Sequence, residues 1–231
     1  MLDAGVMFEE LSIALESPTD KDGNIYLDMP MLEAFCESYI AQLKGTQVLS
    51  PLTGIGIPAN APTPNATEFI GGSSFGGRIL QLQSPPIGNA MINAAKSDLN
   101  ALARINIQKF AKTVTTYVLG AAQVIFDAGS VTGKCTALQP IGTFPGAPGI
   151  LAGGKAEGGY VIGLVGAALY GLIKSEFNFS VELPYLQKFS TVVCDYTMDN
   201  MEIEHPPGMV IGTFGIGGGP VAGQATPGVI S

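Results

Sequence analysis

Apolar residues recur at spacings of three and four over Met31, Leu32, Phe35, Tyr39, Ile40 and Leu43, which predicts an amphipathic helix over 29–43. Asp28 and Pro30 read as its cap and first turn, and Gly45 as its stop. Phe8, Leu11, Ile13 and Leu15 mark a shorter helix over 8–16, ended by Ser17-Pro18. The same reasoning predicts helices over 89–99, 102–125, 165–177 and 184–201. After each helical pair the pattern changes. Residues 45–67, 135–154 and 206–231 contain no charged side chain, and Gly, Pro, Asn and Thr alternate there with scattered aliphatics such as Ile55, Ile141 and Val210. A solvated linker carries charge and few aliphatics. These tails are therefore expected to be extended and held out of water by other parts of the chain or by neighbouring chains.

The pattern also repeats. Gly71–Leu80 (GGSSFGGRIL) returns 82 residues later as Gly153–Ile162 (GGKAEGGYVI). The stretch from Asn24 to Phe35 aligns without gaps to Asn178 to Phe189, and Asn100 to Phe110 joins with one gap. Leu52-Thr53-Gly54, Val131-Thr132-Gly133 and Val210-Ile211-Gly212 follow the three phenylalanines in the same order. The chain of 231 residues thus reads as three degenerate repeats, at 1–77, 78–158 and 159–231. The expected fold is mainly α with extended Gly/Pro-rich segments, each repeat a helical hairpin plus an extended apolar tail, all in one compact pseudo-threefold body. Units this short with so much Gly and Pro would bury little alone.

A net charge of −8 and a pI near 4.5 lack the basic footprint that nucleic-acid binding requires. Cys36, Cys135 and Cys194 are isolated, so neither a disulfide framework nor a zinc site is expected; Cys36 and Cys194 read as small core residues. The acidic N-terminus does not resemble a signal peptide. The apolar run from Gly158 to Ile173 is 16 residues, too short for a bilayer span, and no membrane association is expected.

Candidate chemistry is weak at every position. Gly149 to Ala156 fits the GxxxxGK of a phosphate loop, but Ala156 stands where a magnesium-ligating hydroxyl belongs, and the aligned copy has Ser73 in place of Lys155. Asp20 to Asp28 offers oxygens at calcium-loop positions 1, 3, 5 and 9, with the glycine misplaced and Met31 at position 12. Gly212 to Gly219 has the glycines of a dinucleotide fingerprint without its spacing. His205 is the only histidine, expected on the surface or capping the last helix; with Ser190 and Asp195 it makes a triad on paper only. Asp195, Asp199, Glu202 and Glu204 read as a solvated helical face. No catalytic, cofactor-binding or metal residue is expected, and no cofactor.

The alternation of helices with TG-containing, Gly/Pro-rich segments, carried by Leu52-Thr53-Gly54, Val131-Thr132-Gly133 and the Gly-Gly stretches, resembles the minor virion structural proteins of tailed bacteriophages. That resemblance implies a non-enzymatic component of the head, neck, tail or baseplate, assembled in the host cytoplasm. Its partners would be other virion proteins and copies of itself, contacted through the apolar tails. A non-viral self-assembling shell, surface or scaffolding protein is the alternative.

Overall fold

The computed structural model describes residues 1–15, 27–58, 66–96, 98–139, 149–206, 210–214 and 219–230. Among them are six helices: α1 (Ala4–Leu15), α2 (Met29–Lys44), α3 (Ser84–Ala94), α4 (Ala101–Ala121), α5 (Gly166–Phe177) and α6 (Pro184–Asn200). Seven strands accompany them: β1 (Val48–Pro58), β2 (Ala66–Ile79), β3 (Gln123–Gln139), β4 (Gly149–Ile162), β5 (Ile203–His205), β6 (Val210–Phe214) and β7 (Gly219–Ile230).

The mainly helical fold of hairpin-plus-tail repeats is corrected by these strands. The described residues of the segments read as extended apolar tails are largely paired β-structure. An extended Gly-rich backbone still carries a donor and an acceptor at nearly every residue, and cross-strand pairing satisfies them. The chain divides into two compact units, each drawing a segment from every third of the sequence. One comprises Met1–Gly45, Gln81–Ala121 and Gly163–Met201; the other Thr46–Leu80, Ala122–Ile162 and Glu202–Ser231.

The first unit holds all six helices. Asp28 caps α2 as expected: its Oδ1 accepts from Met31 N at 3.0 Å, with Pro30 in the first turn. The core is built from α2, α4 and α6, which bury matching positions. Phe35, Phe110 and Phe189, the aligned phenylalanines, are each fully buried and meet one another. Ring centroids lie 5.2 Å apart for Phe35–Phe189 and for Phe110–Phe189, and 6.5 Å for Phe35–Phe110. Three residues earlier, Leu32, Ile107 and Leu186 are buried; one residue later, so are the small Cys36, Ala111 and Ser190. The first helices wrap around this centre. α1 packs on α2 and α6, and α3 on α2 and α4, whereas α4 and α5 meet more sparingly.

The second unit is one antiparallel sheet in the order β1-β2-β3-β4-β5-β7-β6, with β4 also pairing β6 and β7 also pairing β1. β5 and β6 thus both lie between β4 and β7. The β1–β7 ladder, from Val48↔Gly228 to Gly56↔Gly219, brings the sheet back to its first strand and leaves β1 and β7 no open edge along it. Three cross-strand pairs recur in its interior: Val48↔Ile79, Val124↔Val161 and Ile203↔Ile230, all buried.

The repeated Gly-Gly has a physical role here. Gly76 and Gly158 take positive φ, +83° and +69°, where a side chain would be strained. Each sits in a break of strand register, so two successive residues face outward, Phe75-Gly76 and Glu157-Gly158. The next glycine of each pair then points inward. A Cβ on Gly77 would stand 2.9 Å from Val124 Cβ, and one on Gly159 2.4 Å from Phe126 Cζ.

Candidate functional site

His205, expected at the surface or as a helix cap, is instead 1% exposed. The reason is local: α6 ends at Asn200, and the strand that follows alternates, turning Ile203 and His205 inward and Glu204 out. His205 Nε2 lies 2.9 Å from Ser50 Oγ, and its ring rests on Phe126 with centroids 5.4 Å apart. Gly228 makes room for it, since a Cβ there would come within 2.8 Å of His205 Cε1. The histidine is an interior packing and hydrogen-bonding residue of the sheet.

The other two members of the paper triad lie in the helical unit. Ser190 Oγ donates to Leu186 O at 2.8 Å within α6, and Asp195 is exposed on the same helix. The two cysteines expected in the core are there, and burial pushes the Cys36 and Cys194 thiols up to about 12. Burial also raises the Tyr39 phenol, which hydrogen-bonds Thr197 Oγ1 at 2.9 Å. These groups stabilise the fold while they stay protonated. Their contribution is complete below the ordinary thiol value of 9.0 and is lost as pH rises through the folded values. Urea melts between pH 8 and pH 11 are therefore expected to show falling stability, at most about 1.4 kcal/mol per pH unit from Cys36. Cys36→Ala should flatten that slope; an unchanged slope would place the alkaline sensitivity elsewhere.

The remaining motifs also resolve. Gly149 to Ala156 runs inside β4, paired to β3 and β6, and Lys155 Nζ contacts Glu157 Oε1 at 2.5 Å, so no phosphate-cradling loop forms. Most of the calcium-type stretch lies outside the described residues. Asp28, its last member, already engages both oxygens with backbone: Oδ1 with Met31 N and Oδ2 with Lys96 N, each at 3.0 Å. Gly212 to Phe214 belongs to β6 and Gly219 to β7, while 215–218 fall outside the described residues. Asp195, Asp199, Glu202 and Glu204 are exposed as expected, although Glu204 stands on a strand. Among the described residues no three His, Cys, Asp or Glu side chains gather as a metal site would need, and no helix is long and apolar enough to cross a membrane.

The feature that sequence reasoning missed is a groove of about 870 Å³ in the helical unit, lined by α3, α4 and α5. It opens where α4 and α5 are held apart. Tyr117 pins one end, its hydroxyl donating to Val165 O at 3.0 Å and accepting from Val165 N at 2.7 Å. Lys109 spans the other end, 3.3 Å from Glu176 Oε1, 2.6 Å from Glu176 O and 5.0 Å from the centroid of the Phe177 ring. Thr113 and Thr116 between these ties, and Gly120 and Ala121 beyond Tyr117, are too small to fill the seam. Ile105 and Leu172 border the groove at 62% and 48% exposure, and Lys112 contributes a second cation. Its signal in the sequence was slight: Leu102 and Ile105 lie off the buried stripe of α4 and are aliphatics with no place in the core. Chemically the groove offers a largely apolar surface with cationic lysines.

No protein-family model, no curated protein and no solved structure matches the chain.

Proposed function

We propose that the chain is a non-enzymatic structural component of a tailed-phage virion, working through contacts with neighbouring subunits. The observation that carries this reading is the groove of the helical unit, with Ile105 and Leu172 left in water beside it. Contiguous apolar surface rimmed by polar groups is characteristic of a protein–protein contact. One part of the sequence-based expectation changes. The uncharged segments pair with one another as strands of this chain, so their described backbone is engaged internally, and the contact surface moves to the helices.

The test is composition of the particle. Phage particles purified from a host carrying the gene should contain the chain at a fixed ratio to the major capsid or tail protein, through density-gradient and size separation. A chain that stays with the soluble fraction while particles are complete without it would overturn the virion assignment.

A further inference from the structure

The geometry points to a second copy of this chain as the occupant of the groove between α3, α4 and α5, entering with the outer stripe of α1. This deepens the reading of the chain as an assembly component and rests on it. α1 has two faces. Met7, Leu11 and Leu15 are buried in the helical unit, which leaves Val6, Glu9, Glu10 and Ile13 on the other side. Those four stand at positions i, i+3, i+4 and i+7, a single stripe. Val6 is 47% and Ile13 67% exposed, so two aliphatics flank two carboxylates in water.

The groove presents the converse arrangement. Ile105 and Leu172 supply apolar walls, and Lys109 and Lys112 supply cations against the single carboxylate of Glu176. Among the described residues Lys112 forms no ion pair, so an incoming carboxylate would meet an available ammonium. Length agrees as well: the stripe from Val6 to Ile13 rises about 10 Å along its helix, and α4 runs about 16 Å from Ile105 to Thr116. In a chain with net charge −8, a local excess of lysine over carboxylate favours an acidic visitor, and charge complementarity fixes its register. Stripe and groove are different patches, α1 packing on α2 and α6 while the groove lies at α3, α4 and α5. The contact is therefore head-to-tail, and each copy that offers a stripe still has a groove to fill. Such contacts propagate into a ring or a filament.

Sedimentation velocity of the purified full chain tests this. Association should rise with concentration and weaken between about 50 mM and 300 mM salt, as screening shortens the reach of the lysines. Lys112→Glu should weaken self-association by about tenfold or more, and so should the double change Glu9→Lys, Glu10→Lys. Combining the two sets should restore association towards the native level, which a merely damaged fold would not do. Ile105→Asp, at an exposed position, should weaken it too, with circular dichroism of each variant unchanged. A native chain that remains monomeric at about 100 μM, a protein–protein affinity range weaker than micromolar, overturns the inference, as do charge variants that associate like the native chain. If either result occurs while the chain is still present in purified particles, another virion protein fills the groove and the assembly reading survives. Absence from particles with intact, charge-dependent self-association removes the virion assignment and leaves this contact standing.

Discussion

Phe189→Ala is expected to destabilise the helical unit by about 3–5 kcal/mol. Phe189 is the hub of three fully buried rings, 5.2 Å from both Phe35 and Phe110, with interplanar angles of 61° and 51°. Tilted and edge-on contacts of this kind add about 0.5–1.5 kcal/mol each beyond the area they bury. Removing the hub leaves a cavity that no single neighbour can close, because Phe35 is held on its other side by a stacked contact with Tyr39 at 5.4 Å. Phe110→Ala should cost somewhat less, since its distance to Phe35 is already 6.5 Å. Urea denaturation followed by far-ultraviolet circular dichroism measures both. Equal losses at Phe189 and Phe110, or a loss below about 1.5 kcal/mol at either, would mean that the rings do not form one packed centre.

In the sheet, Gly159→Val is expected to cost about 3 kcal/mol, with Gly158→Ala costing about 1–2 kcal/mol by a different route. The added atoms at 159 collide with the Phe126 ring, whose Cζ and Cε1 would lie 2.4 and 2.5 Å from the new Cβ. That ring cannot step aside freely, since it packs on His205. At 158 a Cβ meets nothing within 4 Å, and the penalty comes from φ alone, at +69°. The two mechanisms separate in a double-mutant cycle. Phe126→Leu should recover part of the loss at Gly159→Val and none of the loss at Gly158→Ala. A cycle without coupling at 159 would show that the inward glycine is not there to admit the ring.

What could be read from the chain beforehand follows from which forces are local. The cap and first turn of α2 are written in Asp28 and Pro30, and the helix begins where they place it. α3 was expected over 89–99 and runs from Ser84 to Ala94. Its first turn contains Pro85 and Pro86, where the missing N–H breaks no helical bond, so a periodicity count that starts after them sets the helix too late. α4 ends at Ala121 rather than 125 because Val124 and Phe126 already alternate as strand residues facing inward. The recurrence of Gly71–Leu80 at Gly153–Ile162 was plain, yet its use, one glycine for a kink and the next for close packing, depends on a neighbouring strand.

The sheet was the main thing missed. Extension was legible for the described parts of residues 45–67, 135–154 and 206–231, but pairing was not. Glycine and proline lower strand propensity, and β1 finds one of its partners in β7, at the far end of the sequence. The buried state of His205 was illegible for the same reason: Ser50, Phe126 and Gly228, which surround it, come from β1, β3 and β7. The groove depends on how closely α4 approaches α5, which no periodicity encodes.

β7 holds together more than its position in the chain suggests. It pairs with β5, β6 and β1, so a chain cut before Gly219 would lose three ladders rather than one outer strand. During synthesis the sheet consequently stays unclosed until β7 leaves the ribosome, and β1, made long before, must wait beside β2 with one flank unpaired.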